Sequence, residues 1–597
     1  MQRFNDPPSL RKGVKVSIVF CGIKVVGYTG EPISVSLYSQ GIKALAKSKK
    51  LYRWRGFYSL SPQDRTILLK VGDEYVDPSG IFCREGQQVF SNLKTPLLVK
   101  ISSPFLDGYF QHKKIFRNKL LWKLTVDKIK QFANIPDIRD VRTIKKGKMV
   151  NVESDVVVVG GGLAGLTAAY TVGKLGLRVV LVDDSTELGG RMRYDFMDLP
   201  GLNLPRASLM IKLVNDVGSV GVKILNKTIF AGFFEDYATA YSEEENTLYI
   251  FKAKAYILAT GKVDLPCIFR GNDLPGVLSA STALEMMNWY KVKPGKKGVI
   301  LGASEYGLRI AQQLKNSDID VIILDSSKVS NIPSSLERIG EYIYNVREVE
   351  VLGDRSVEKV KIFHDGVVEV VDTDFIICSA LSNPDLKIIG QLYSKTLFID
   401  GVGFVPVHSK HMEVKDRVFV AGGSTGSPYG ILHVIEGEIA GLAAASMCGV
   451  KGLEEELFEK VREYDKKLYE VGATWKEKIF KMFYGVSLED LSTNISSTSS
   501  NIFLEKPSKD AFICFCEDIT TKDLARTVFE KGYRILELVK RSSGICTGRC
   551  QGRLCMVNAS LYISHLTNLD PNYIGLTRIR PPAIPLPLYA LAGDEET

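Results

Sequence analysis

The sequence predicts an α/β protein in which one parallel-sheet domain carries another inserted within it, with a small β-rich domain ahead and a small helical domain behind. Three observations predict this. VVVVGGGLAGLTAAYTVGKLGLRVVLVDDSTELGGRM (156–192) runs from a buried strand through a glycine turn and a helix to a second strand ending in acid. GVILGASEYGLRIAQQLKNSDIDVIILDSS (298–327) repeats that order, and five cysteines fall between 514 and 555.

The first stretch has the spacing of a dinucleotide site. Gly160 permits the tight turn after the strand, Gly162 lets the backbone approach a pyrophosphate, and Gly165 lets the helix pack closely on the sheet. Leu163 and Ala164 open the helix whose N-terminus faces the phosphates. Asp183 closes the second strand at the distance that suits a ribose hydroxyl, Asp184 follows it, and Gly190 and Arg191 form the next turn. A structural parallel-sheet core needs the strands but not this combination of glycines and acid.

In the copy, Gly302 and Gly307 hold the outer positions, Ser304 stands where the middle glycine would be, and Asp325 closes the strand. A serine side chain crowds the point of closest approach, so an occupied second nucleotide site and a retained fold with an empty site both stay open. AYILATGKVDLPCIFRGNDLPGV (255–277) and DTDFIICSALSNP (372–384) are apolar strands ending in small residues, where the chain crosses between domains. Thr260 and Gly261 are therefore expected beside the first cofactor. DRVFVAGGSTGSPYGILHVIEGEIAGLAAA (416–445) reads as strand, glycine turn and helix returning to the first domain.

At 597 residues and 45% hydrophobic, the chain has material for about three to five domains. No run of about 18 apolar residues escapes glycine or charge, and Met1–Ser17 has charges and prolines instead of an apolar leader core. A cytoplasmic protein without a membrane span is expected. Net charge is +9, with 28 Lys+Arg against 11 Asp+Glu in residues 1–150. No nucleic-acid motif accompanies that basic front end, which reads as a solvated face or as a docking surface for another protein or a cofactor phosphate.

The order of motifs resembles the two-dinucleotide-binding-domain flavoproteins. GNDLPGV (271–277), the front domain and the tail RIRPPAIPLPLYALA (578–592) resemble the alpha subunits of sarcosine oxidase, dye-linked proline dehydrogenase, opine oxidase and hydrogen cyanide synthase. The resemblance implies an FAD-type Rossmann domain (151–277 and 375–450) with an inserted NAD-type Rossmann domain (278–374). It also implies a beta-type partner subunit that holds FAD and oxidises the C–N bond of an amino or imino acid. The wider superfamily ends its last strand in Gly-Asp, whereas Val420, Ala421, Gly422 and Gly423 offer no acid. FAD, NAD and ATP thus all stay open for the first site, which includes Gly422 and Gly423.

Cys21, Cys83, Cys267, Cys378 and Cys448 are scattered and read as packing residues. Cys514, Cys516, Cys546, Cys550 and Cys555 are clustered, and thiolates on two short loops suit an iron-sulfur cluster or a zinc ion. The intervening helical stretch, Thr520 to Lys540, brings the loops together. Residues 506–570 resemble the bacterioferritin-associated-ferredoxin-like (BFD-like) domain, which implies a [2Fe-2S] cluster on Cys514, Cys516, Cys550 and Cys555 with Cys546 as a spare. Arg541, Arg549 and Arg553 would offset anionic thiolates, unless they form only a solvated basic loop.

Residues 1–104 read as a β-rich, ferredoxin-like domain with one helix, Ile33 to Lys47. The loop SKKLYRWRGFYSLS (48–61) lacks the cysteines of a plant-type cluster, so this domain holds none. Its Arg53, Trp54, Arg55 and Gly56 resemble the basic aromatic loop of the sarcosine oxidase alpha chain, and read as a phosphate or acidic-surface site or as a cation–aromatic stack. A basic connector (105–150), a helical linker (451–505) and a Pro-rich strap (571–597) complete the domain plan. His433 reads as a flavin neighbour or a satisfied buried histidine, and His408 and His411 as surface residues.

The expected function is an alpha-type, electron-transferring subunit in a hetero-oligomeric amino- or imino-acid dehydrogenase or oxidase. FMN at a subunit interface would divide electron pairs, and an electron carrier or quinone would receive them. A self-contained NAD(P)H-dependent oxidoreductase and a purely structural nucleotide-binding scaffold are the alternatives.

Overall fold

The computed structural model describes residues 3–4, 13–91 without 49 and 73, residue 93, 147–326 without 196–198, 200, 203 and 204, 339–487, and 510–596 without 592 and 593. The expected connector lies outside these residues up to 146, as does the 488–505 part of the helical linker. The chain forms two compact units. A core unit comprises 144–263, 382–497 and 578–597, and a composite unit comprises 1–143, 264–381 and 498–577. The chain therefore leaves and re-enters the core unit just beyond the two small-residue strand ends.

In the core unit, strand Lys148–Val159 pairs in parallel with Thr247–Leu258 on one side and Val179–Val182 on the other. Lys223–Leu225 extends the parallel edge, while Ala238–Ser242 and Thr228–Phe233 continue antiparallel beyond Thr247–Leu258. Val418–Val420 rejoins this sheet in parallel. Val156–Val159 is buried on both faces, as a central strand covered by helices on each side must be, which explains its unbroken valines.

Helices Leu163–Gly173 and Ile431–Met447 are apolar almost all round and bury against one another. Small residues set their distance. A Cβ on Gly437 would stand 2.5 Å from Ala164 O, and one on Gly441 would stand 2.9 Å from Thr171 Cβ. The Pro-rich tail lies along this unit's own antiparallel strands, with Ala583 N donating to Ala231 O and Ile584 buried on Ile229 and Ala231.

A charged cluster is sealed behind the returning glycine turn. Glu436 and Lys476 form an ion pair at 2.9 Å with both side chains at 0% exposure. Glu436 also accepts from Gly422 N at 2.7 Å, Thr425 Oγ1, Ser427 Oγ and Tyr464 Oη at 2.6 Å. Nearby, His408 corrects the surface expectation: it is fully buried against Phe480, its Nδ1 lies 2.9 Å from Ser409 O, and burial pushes its pKa down to about 3. His411 is exposed as expected.

The composite unit has three parts. In the front part, Lys15–Phe20 pairs antiparallel with Ile23–Tyr28 and parallel with Gln88–Phe90; Leu69–Val71 and Glu74–Val76 follow antiparallel. The helix covers only Ile33–Ser39, shorter than the expected span to Lys47, because Gly41 takes a left-handed φ of +83° and turns the chain. Ala46–Lys47 then forms a strand with Trp54–Arg55.

The insert is a parallel sheet in the order Val277–Ser279, Phe375–Cys378, Lys297–Leu301, Asp320–Leu324, Glu341–Ile343. Phe375–Cys378, expected to begin the return to the first domain, instead lies inside this sheet, since its four buried apolar residues fill the position between two insert strands. The third part carries the cysteines on a hairpin, Phe512–Cys514 with Ile519–Thr520, and on helices Thr521–Lys531, Leu536–Ser543 and Met556–Thr567. Among the described residues no helix is long and apolar enough to cross a membrane.

Burial disfavours the charge on Glu436, but Lys476 and the hydroxyl donors outweigh it and hold the carboxyl down to about 2. Its contribution to stability is complete above its ordinary value near 4.5 and is lost as pH falls toward 2. Lys476→Met should cost about 3–5 kcal/mol by stranding a buried carboxylate. Chemical unfolding followed by intrinsic fluorescence should show Glu436→Gln/Lys476→Met less destabilised than Lys476→Met; equal losses would exclude the pair as the cause.

Candidate nucleotide and thiol sites

The first glycine turn lies within the core unit. Gly160 has φ +104°, and a Cβ there would stand 2.3 Å from Ala259 O; a Cβ on Gly165 would stand 1.8 Å from Gly160 O. Only glycine fits either position. Gly162 differs: nothing lies nearer its Cβ position than Gly190 Cα at 4.0 Å. It is the N-cap of helix Leu163–Gly173, with no side-chain cap and no acid in the first turn. That terminus offers N–H groups and the positive end of the helix dipole to an anion.

Asp183 braces the turn from beneath, accepting from Gly161 N at 2.6 Å and Ser185 N at 2.8 Å. Asp184 is half-buried beside it and accepts from Ser185 Oγ at 3.4 Å. Leu163 and Ala164 are buried, and Arg191 is half-buried in the turn Gly190–Arg193. Thr260 and Gly261 meet Ser424, with Thr260 Oγ1 at 3.1 Å and Gly261 N donating at 3.0 Å. A Cβ on Gly423 would stand 3.0 Å from Gly261 Cα, and one on Gly422 would stand 2.7 Å from Ala164 Cβ. The segments expected around the first cofactor therefore converge, and the uncapped helix fits a nucleotide phosphate.

Where an acid was missing after Val420, Glu436 takes the Gly422 N–H from behind. No sequence motif singles out this residue. Its trace in the sequence is a lone buried acid in the otherwise apolar helix Ile431–Met447. His433 is buried, with Nε2 3.3 Å from Ser427 O and its ring against Tyr429; burial pushes its pKa to about 4, in keeping with the satisfied-histidine reading.

The second turn keeps the geometry but handles its helix differently. A Cβ on Gly307 would stand 2.3 Å from Gly302 O, and Asp325 accepts from Ala303 N at 2.8 Å, as Asp183 does from Gly161. Ser304, however, is the N-cap of helix Glu305–Lys315 and accepts from Gly307 N at 3.1 Å. Its hydroxyl takes an N–H that Gly162 leaves without a side-chain cap.

The cysteines form a buried nest in the composite unit. Cys514, Cys516, Cys546, Cys550 and Cys555 are each at most 3% exposed. The Cys555 thiol is within hydrogen-bonding reach of Cys514, Cys546 and Cys550, and Cys516 is within reach of Cys550; neighbouring thiols and burial push Cys516 and Cys555 well above the ordinary thiol range. Cys546 Sγ lies 3.8 Å from Cys555 Sγ, about the edge of a tetrahedron with metal–sulfur bonds near 2.3 Å. As they stand, no three or more His, Cys, Asp or Glu among the described residues are disposed to hold a metal ion. By donor chemistry the nest fits a thiolate-bound centre.

The arginines around it divide. Arg541 is exposed, Arg553 pairs with buried Asp64, and Arg549 sits beside Cys516 and reaches Thr66 O at 3.5 Å. Trp54 stacks under Lys47, whose Nζ is 3.4 Å from the ring centroid. Arg53 and Arg55 are committed to Asp273 and Asp518, which corrects their reading as a phosphate or acidic-surface site. Cys267 and Cys378, read as scattered, bring their buried thiols into contact.

Comparison with known proteins adds independent information. The pyridine nucleotide-disulphide oxidoreductase family matches residues 154–437, and the sarcosine oxidase A3 domain matches residues 508–595. The chain is 26% identical to the sarcosine oxidase alpha chain of Rhizobium meliloti (strain 1021), over 98% of this chain and 58% of that one, so it spans little more than half that relative's length. It is 23% identical to the hydrogen cyanide synthase component HcnB of Pseudomonas protegens, over 74% of this chain and 98% of that one. The crystal structure of L-proline dehydrogenase from P. horikoshii shares the fold, with a TM-score of 0.70, 23% identity and 98% coverage of both chains. With its glycine turns, its returning helix and its cysteine-bearing segment all matched, the chain belongs to the family that holds the alpha chain of sarcosine oxidase, its opine oxidase counterpart and HcnB.

Proposed function

We propose that this chain is the alpha-type, electron-transferring subunit of a flavin-dependent complex that oxidises the C–N bond of an amino or imino acid. The observation that carries this reading is the buried convergence of Cys514, Cys516, Cys550 and Cys555. The relatives' names, most of them subunits of oxidases, support it. In this reading residues 506–570 are a BFD-like [2Fe-2S] domain, the front domain is a ferredoxin-like module without a cluster, and a beta-type FAD subunit carries the substrate site.

The first site would hold FAD, NAD or ATP. The helix at Leu163 binds the pyrophosphate, Asp183 and Asp184 face the ribose side, and Gly190, Arg191, Thr260, Gly261, Gly422 and Gly423 complete the walls. FMN belongs at a subunit interface, and an electron carrier or quinone is the acceptor. When bound, a flavin converts electron pairs to single electrons and a [2Fe-2S] cluster passes them singly. The protein's own contribution is to keep water from the thiols, to offset thiolate charge with Arg549 and to present backbone donors to phosphate. Ser304 satisfies the second helix internally, which favours a retained fold over an occupied second site.

The chain purified anaerobically should contain iron and sulfide in equal amounts with an acid-released nucleotide, and a tagged chain should co-purify a beta-type flavoprotein. Zinc without a chromophore would refute electron transfer. Serine at Cys514, Cys516, Cys550 or Cys555 should abolish the iron, whereas Cys546→Ser should retain it; the reverse pattern would assign Cys546 as a ligand.

Gly162→Ala has room to fold but places a methyl where phosphate would approach. Nucleotide retained after gel filtration should fall by about tenfold or more, about 1.4 kcal/mol, with the melting temperature nearly unchanged. Gly165→Ala should instead destabilise the fold, and equal melting of the two variants would contradict this division.

A further inference from the structure

The segment GNDLPGV and the front-domain loop at Lys50–Arg55 have no part in the function proposed above, yet both close on one element, the hairpin that carries Cys514 and Cys516. Asn272 holds its first strand as a neighbouring strand would: Nδ2 donates to Phe512 O at 2.8 Å, and Oδ1 accepts from Phe512 N at 3.0 Å. Asp518, two residues after Cys516, makes the hairpin turn at φ +50°. Its carboxylate, at 0% exposure, accepts from Lys50 N at 2.9 Å, Leu51 N at 3.0 Å and Arg55 Nη2 at 2.6 Å.

Arg55 is itself only 3% exposed and shares its guanidinium between Asp518 and Asp273. Asp273 is held in turn by Arg53 at 2.6 and 2.9 Å. Two arginines and two aspartates thus balance within this buried set, and Arg53 and Arg55 both lie over the Phe512 ring, at 5.4 and 4.8 Å. Burial opposes charge on both Asp273 and Arg55; the arginines nevertheless keep Asp273 below its ordinary range, and the two aspartates raise Arg55 above its own.

We propose that Arg55 is a positioning residue for the Cys514–Cys516 loop, and that the Arg55–Asp518 pair sets the reduction potential of the centre that this loop binds. The second clause rests on the cluster reading above; the first does not. A loop that must present two thiols to a metal cannot be packed from the metal side. Here it is fixed from behind by a forked guanidinium and by backbone donors, and its turn charge is neutralised at the same time. The segment Gly271–Val277 acquires a role as the second jaw of this clamp.

The test uses the full-length chain and its Arg55→Gln, Arg55→Lys and Asp518→Asn variants. In dye-equilibrated redox titrations read by electron paramagnetic resonance, Asp518→Asn removes a negative charge and should raise the midpoint potential. Arg55→Gln leaves the aspartates uncompensated and should lower it. Shifts in the same direction, or none with iron content intact, would overturn the electrostatic role.

If either variant loses its iron, the iron-stripped chains decide the positioning role. Iodoacetamide labelling of Cys514 and Cys516, read by mass spectrometry, should be several-fold faster in Arg55→Lys than in wild type, and unchanged rates would overturn the clamp. A wild-type chain without iron would remove the cluster reading and with it the proposed potential, while the labelling rates would still decide the clamp.

Discussion

An α-helix begins with N–H groups that its own carbonyls cannot reach, and the way the two glycine turns meet that shortage separates them. Both turns are built on the same forced contact, a helix glycine set against the carbonyl of the glycine that ends the strand: Gly165 on Gly160 and Gly307 on Gly302. Both are braced by an acid from the next strand, Asp183 or Asp325. They diverge at one position. Gly162 brings no side chain to its helix, so a phosphate is the natural complement, whereas Ser304 brings a hydroxyl and caps its own helix. The nucleotide reading of the first unit depends on this difference of one CH₂OH group.

The sequence made the first turn, the insert and the thiol set legible because each depends on short-range spacing: glycines three and five residues apart, cysteines two and five apart, and valine runs of central-strand length. The convergence of Thr260, Gly261, Gly422 and Gly423 was also legible, since strand ends in a parallel sheet share one edge. The buried ionic groups were not. Glu436 and Lys476 are 40 residues apart, and Arg55, Asp273 and Asp518 span 463 residues. No local pattern distinguishes a surface aspartate from one that meets an arginine elsewhere in the chain. His408 was misjudged for the same reason, because the helix that covers it, Lys476–Phe483, comes much later. The front helix was overextended because its propensity continues past Ser39, whereas Gly41 ends it.

The arginine-rich loop illustrates how burial changes the meaning of a motif. Arg-Trp-Arg at 53–55 has the composition of an anion site. In the fold, Arg53 and Arg55 meet carboxylates of this chain, and Trp54 lies against Lys47. A guanidinium already forked between two buried aspartates has little left to offer an external phosphate, and withdrawing it would strand two carboxylates at several kcal/mol each. The positive charge that remains near the thiols is that of Arg549, which has no ion pair as close as that of Arg553 with Asp64.

Both candidate sites follow one physical rule. A loop that receives a cofactor must leave space on its working side, so apolar packing can hold it only from behind or from the flanks. At the first site the returning turn Gly422–Thr425 is held from behind by Glu436, itself fixed by Lys476, Tyr464 and two hydroxyls. At the thiol nest the hairpin turn is held from behind by Arg55 and two backbone amides. Buried ions are costly to desolvate and are weak evidence of stabilisation in themselves. Their value here is directional: a bonded carboxylate fixes a turn to within a fraction of an ångström, whereas a hydrophobic contact permits sliding. Each network should therefore matter less to whether its unit folds than to how accurately the adjacent loop is placed.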